Sequence, residues 1–173
     1  GNSELDLDHT ADVIALPAMS PHVIGVAATG PVGWAATGAT NFDRPASYTN
    51  FGQSAVDFAA PGGNDEYRPL NQFCSKPRIG GGPPVVQLCF AFDFVFAPTR
   101  GAGTSTVSYG WAEGTSMASP AVAGVAALII GKFGRIGPAA VEQRLRQSAD
   151  DVGKPGNDDF YGAGRVNALK AIQ

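Results

Sequence analysis

The residues best placed to do chemistry lie in Trp111-Ala112-Glu113-Gly114-Thr115-Ser116-Met117-Ala118-Ser119-Pro120, which runs on without a charge through Ala121–Ile130. Gly114 permits a backbone path that a side chain would block. It is expected to deliver Ser116 to the first residue of a helix, with Pro120 in the first turn, where a missing N–H costs little. A hydroxyl there sits beside free backbone N–H donors and the positive end of the helix dipole. That placement suits a nucleophile whose attack creates an oxyanion nearby. A serine in front of a helix also serves as a plain N-cap, and an isolated Gly-Thr-Ser does not decide between the two roles.

A serine nucleophile needs a base, and the base needs an orienting carboxylate. The chain has two histidines, His9 and His22, both upstream of Ser116. His9 follows Asp6 and Asp8 in a polar stretch without helix or strand periodicity. His22 precedes Val23–Ala28, an apolar run that reads as a buried strand. Each is expected to be structural or solvated rather than the base. The order in which histidine follows serine, used by α/β-hydrolases and their esterases, is excluded because no histidine follows Ser116.

The elements that must hold this site follow from patterning. Ala121–Ile130 is apolar on nearly every helical face, so the nucleophile helix is expected to be buried. Residues 13–22 are a loop broken by Pro17 and Pro21, and residues 29–47 are turn-rich with Trp34 as an apolar anchor. Ser47–Phe51 and Val56–Ala60 read as strands, the second ended by Pro61-Gly62-Gly63. Gly134 ends the nucleophile helix, and Gly137-Pro138 opens another. Its apolar stripe is Ala139, Val141, Leu145 and Ala149, with Glu142, Arg144 and Arg146 outward. Arg165–Ile172 is expected to be a short closing helix. Strands alternating with helices predict an α/β fold around a mostly parallel sheet.

Composition narrows the classes. A length of 173 residues predicts one domain, and 44% hydrophobic content supplies a core. A net charge of −3 without a Lys/Arg cluster gives nucleic acid and anionic membranes no electrostatic footing. No unbroken run of about 18 apolar residues is present, so no bilayer span is expected. The start, Gly1-Asn2-Ser3-Glu4, lacks a signal-peptide pattern. Asp150-Asp151 and Asn157-Asp158-Asp159 are acidic enough for structural calcium, although solvated loop carboxylates are the expected reading.

Three stretches resemble the subtilisin-like serine peptidases, in the same order. Gly114-Thr115-Ser116-Met117-Ala118-Ser119-Pro120 is similar to that family's nucleophile segment. Phe51-Gly52 through Ala59-Ala60-Pro61-Gly62-Gly63 resembles its Asn-Phe-Gly…Ala-Pro-Gly segment, and Tyr161–Ala168 its Tyr-Gly-x-Gly-x-Val-Asn-Ala. The resemblance implies a subtilisin-like three-layer α/β fold and hydrolysis of polypeptide substrates through an acyl-enzyme on Ser116. Gly1-Asn2-Ser3 resembles the segment whose asparagine faces the oxyanion, so Asn2 and the Ser116 N–H are the implied oxyanion hole. Such a donor contributes about 3–4 kcal/mol, a magnitude established in subtilisin and borrowed here. The loop at 13–22 is implied to line the pocket for the side chain preceding the cleaved bond, where Ala15 and Ala18 leave room.

The family's Asp-Ser/Thr-Gly and His-Gly-Thr-His segments, which carry its Asp and His, do not occur here. Residues 1–173 are therefore expected to be the C-terminal part of such a domain, with an upstream segment supplying both groups. No cofactor is expected for the chemistry. The other reading is a non-catalytic interaction or accessory domain that retains the architecture. Residues 64–107 depart from the family as an inserted loop or hairpin that either shapes substrate access or is inert. Cys74 and Cys89 stand in this segment, which has little core of its own. Because the family is mostly extracellular, a disulfide in a secreted protein is expected over two unpaired thiols.

Overall fold

The computed structural model describes residues 1–10, 13–100 and 106–173, so residues 101–105 of the departing segment lie outside the description. Its centre is a parallel pair, β1 (Val26–Thr29) and β2 (Phe58–Pro61), in the register Val26↔Phe58 to Thr29↔Pro61. Ala27, Ala28, Phe58, Ala59 and Ala60 are buried there. The alanines let helix α2 (Thr115–Phe133) come close to both strands, with Phe58 filling the core beside them. Helix α3 (Pro138–Ser148) packs on α2 through Val141 and Leu145, and the short α4 (Ala168–Ala171) closes the layer.

The architecture is α/β; among the described residues there is one parallel pair, and the remaining strands form two antiparallel hairpins. The first hairpin joins β3 (Phe73–Lys76) to β4 (Val85–Leu88), and the second joins β5 (Val95–Arg100) to β6 (Val107–Ala112). A 3-10 turn, Cys89–Asp93, links them. The disulfide Cys74–Cys89 ties this turn to β3 with Cα atoms 4.8 Å apart. Asp93 is buried, and its carboxylate accepts from the backbone N–H of Gly33 (2.5 Å) and Trp34 (2.9 Å) at the start of α1 (Trp34–Thr37). Burial pushes its carboxyl up from the ordinary value, against the two donors.

Several expectations change. α2 is not buried all round: Ala118, Val122, Val125 and Ile129 face the core, while Leu128 and Ile130 are 49% and 43% exposed. Among the described residues β1, β2, α3 and α4 pack against it, and its opposite apolar face stays exposed at Leu128 and Ile130. By length and composition alone α2 would also suffice to cross a membrane, contrary to the expectation of no such segment. Its core face packed on β1 and β2 is that of a core helix. Ser116 is the second helical residue, and Pro120 lies inside the helix rather than in its first turn.

Ser47–Phe51 is not a strand: Ser47 and Tyr48 form a turn, and Phe51 makes a single parallel bridge with Asp6. Tyr48 folds under the Pro61-Gly62-Gly63 segment, and Asn50 Oδ1 accepts from the N–H groups of Ser3 and Leu5. The strand after His22 starts only at Val26. Arg165-Val166 is extended beside β2, Val166 N–H donating to the Ala59 carbonyl at 3.0 Å, so the closing helix is confined to Ala168–Ala171. Arg146 does not simply face water. It reaches Asp57 at 2.7 Å and lies over the Phe58 ring.

Candidate active site

Gly114 has φ 146° and ψ 159°, a conformation open to glycine and strained for other residues. It turns the end of β6 into α2 and brings Thr115 and Ser116 into the first helical turn. Its N–H donates to the Gly62 carbonyl at 2.9 Å, joining the Ala-Pro-Gly segment to the nucleophile turn. Gly62 itself has no room for a side chain. A Cβ there would stand 2.6 Å from the Ala28 Cβ and 2.8 Å from the Gly114 carbonyl oxygen. The Tyr48 hydroxyl sits beneath, 2.9 Å from the Gly62 oxygen and 2.8 Å from that of Gly63. Burial raises its pKa, so it stays a neutral donor.

Asn2 is brought to this turn from the other end of the chain. Its Oδ1 accepts from the Thr115 N–H at 3.0 Å and the Thr115 hydroxyl at 2.7 Å. With the carbonyl end so occupied, the amide's NH2 end remains as donor. It lies over the turn: a Cβ on Gly114 would be 3.2 Å from Asn2 Nδ2. In the first turn of α2, Thr115 N–H goes to Asn2, and those of Met117 and Ala118 to the Gly114 carbonyl. The Ser116 N–H takes no partner among the described residues. Two donors, one backbone and one side-chain, thus flank an exposed serine hydroxyl.

In front of Ser116 lies a hollow of about 360 Å³ lined by Pro17, Ala18, Ile24, Val26 and Pro120 among others. Ala18 is in its wall, as the resemblance implied; Ala15 is not. Behind the turn, Arg68 bridges Glu113 (3.7 Å) and Asp65 (3.5 Å). A larger hollow of about 530 Å³, against Trp34, Phe42 and Phe92, shares no residue with the one at Ser116.

Neither histidine faces the serine hollow. His9 is 83% exposed, its Nδ1 2.9 Å from Asp6 Oδ2, a contact that raises its pKa. His22 stands exposed in a turn with φ 64°. The acidic loop is solvated only in part: Asp151 is exposed, whereas Asp150 and Asp159 are half-buried and Asp158 is buried. Asp158 accepts from the N–H groups of Lys154, Phe160 and Tyr161, and Asp151 accepts from that of Gly156. Asp150 is engaged by Arg165, Asn167 and Lys170. Among the described residues no three His, Cys, Asp or Glu side chains group to hold a metal.

An exposed serine thus stands at the N-terminus of a core helix, beside an asparagine amide. The Subtilase family model (Peptidase_S8) matches residues 1–164, and the chain belongs to that family. The extracellular serine protease of Serratia marcescens is 41% identical over 64 residues, 37% of this chain and 6% of that protein. The calcium-dependent protease of Trichormus variabilis is 39% identical over 79 residues, 42% of this chain and 12% of that one. The crystal structure of a lanthipeptide protease has a TM-score of 0.71 at 28% identity, over 99% of this chain and 49% of that one. The chain therefore spans about half the length of that protease.

Proposed function

We propose that this chain is the nucleophile-bearing C-terminal part of a subtilisin-like serine endopeptidase, acting on polypeptides. Ser116 Oγ attacks the scissile carbonyl carbon while a base takes its proton. The carbonyl oxygen becomes an oxyanion between the Ser116 N–H and Asn2 Nδ2. Collapse of this intermediate expels the amine half of the substrate, and water then hydrolyses the ester left on Ser116. The observation that carries this reading is the clamp on Asn2, whose amide is oriented by Thr115 at the helix that bears the serine.

An upstream segment of the same polypeptide supplies the Asp and His. Support comes from the uncovered apolar face of α2 and from the placement of His9 and His22 away from the serine hollow. Secretion fits the disulfide and the extracellular character named for the Serratia relative. Calcium appears in the name of the Trichormus relative. In the Asp150–Asp159 loop cations hold Asp150 and backbone N–H groups hold Asp151 and Asp158, and among the described residues no three carboxylates group there.

The test is fluorophosphonate labelling of the polypeptide that includes the upstream half. Rapid labelling at Ser116, lost in Ser116→Ala and slowed in Asn2→Ala, is expected. A protein that binds peptides but never labels would establish the non-catalytic accessory domain instead.

A further inference from the structure

Resting on that reading, we propose that the β5–β6 ribbon is a substrate-docking arm, on which an extended polypeptide segment lies several residues away from the cleaved bond. The ribbon is built for one side to carry apolar rings. Across the ladder, Phe96 faces Trp111, Pro98 faces Tyr109 and Arg100 faces Val107, so these six residues share one face. The opposite face holds Ala97, Thr99, Ser108 and Gly110, which are small. The Phe96 ring lies 4.7 Å from that of Trp111 and 5.6 Å from that of Tyr109. Phe96 and Tyr109 are nevertheless 55% and 65% exposed. An exposed aromatic stripe on a β-ribbon marks an interaction surface.

The backbone indicates which edge is used. Proline has no N–H, so Pro98 cannot exchange two hydrogen bonds with Tyr109, and their pair is of the non-hydrogen-bonded kind. The outer edge of β5 accordingly lacks a donor at Pro98. On β6 the N–H and C=O of Tyr109 point away from β5, and by alternation so do those of Val107 and Trp111. Among the described residues no strand pairs with that edge. A peptide added there would gain main-chain hydrogen bonds and set alternate side chains beside the stripe.

Continuity with the serine identifies the occupant. β6 runs into the nucleophile turn, and Trp111 and Tyr109 stand five and seven residues before Ser116. At about 3.3 Å per strand residue the stripe lies roughly 10–20 Å from the nucleophile. An extended peptide covers that span in about three to six residues. The ribbon shares no residue with the hollow in front of Ser116, so it acts on a different part of the substrate.

The experiment uses the polypeptide that includes the upstream half. Quenched peptides carry Leu or Phe, against Ser, at positions three to six from the cleaved bond on either side, with a short ester as reference. Wild-type protein is expected to favour the apolar series, on one side of the bond, about tenfold in kcat/KM. Phe96→Ser with Tyr109→Ser should lower the long-peptide to short-ester ratio about tenfold, and Phe96→Leu with Tyr109→Phe should restore it. No apolar preference in wild-type protein, or an unchanged ratio in the Ser variant, overturns the proposal. A lowered Tm in the Ser variant with the ratio unchanged would show that the upstream half covers the stripe. A dimer dissolved by the Ser variant would give the face to a second copy. If fluorophosphonate fails to label Ser116, the peptidase reading falls and this proposal with it; labelling with no change in ratio removes the arm alone.

Discussion

At the scale of single residues, the site is a matter of two donors and what holds them. Ser116 is proposed from a distinctive string, and Asn2 only from the resemblance around Gly1-Asn2-Ser3. Thr115 carried no such signal as a clamp: the pairing of its N–H and hydroxyl with Asn2 spans most of the chain. Asn2→Ala removes one oxyanion donor and is expected to lower kcat by about 10²–10³ with KM little changed. Thr115→Val, which keeps the N–H and loses the hydroxyl, should fall between wild type and Asn2→Ala. Equal rates for wild type and Asn2→Ala would remove the amide from the mechanism. Met117 follows the nucleophile, its sulfur 3.7 Å from where a Cβ on Gly114 would stand. Oxidation to the polar, bulkier sulfoxide crowds that turn. Mild peroxide is expected to lower turnover, with Met117→Ala resistant. Loss at the same rate in Met117→Ala would place the sensitive group elsewhere.

At the scale of elements, periodicity found the helices and missed what side chains impose on loops. Gly137-Pro138 announced α3 because proline is pre-organised for the first helical position. Ser47–Phe51 alternates like a strand, yet the hydrogen bonds of Tyr48 and Asn50 hold it out of one, and no periodicity encodes them. The C-terminal segment shows the same limit. Asp150 joins α3 to α4 through Arg165, Asn167 and Lys170, and chiefly the hydrogen bond from Lys170 lowers its carboxyl from 3.8 to about 2. A depressed folded value means that this stabilisation is fully present above the unfolded value of 3.8. It is lost as pH falls from there toward about 2. Asp150→Asn should therefore lower Tm at neutral pH and flatten the decline of Tm across that acid window. An Asn variant that keeps the wild-type acid slope would assign the slope to other carboxylates. Reduction of Cys74–Cys89, which closes a 15-residue separation, releases about 3 kcal/mol of chain constraint on the β3–β4 hairpin. Limited digestion should then cut residues 64–100 well before α2. Cleavage inside Thr115–Phe133 first would show that the helix is not held by its core face.

For the whole molecule, the discrepancy that matters is α2. Its composition predicted a helix surrounded by protein, and the structure surrounds half of it. A helix apolar on all sides belongs in the middle of a domain, which is the place that the proposed upstream half would give it. Leu128 and Ile130 lie open on that helix, and Val23 (40%) and Leu169 (67%) are open as well. The chain on its own is expected to bind a hydrophobic dye and to self-associate as its concentration rises. It should label with fluorophosphonate slowly, because a neutral serine hydroxyl without a base is a poor nucleophile. Adding the upstream half, in the same polypeptide or in trans, should suppress dye binding and speed labelling by several orders of magnitude together. The joint response is the discriminating feature: one event covers the apolar face and brings the base to Ser116. Fast labelling by residues 1–173 alone, abolished by His22→Ala or His9→Ala, would overturn this reading and make that histidine the base.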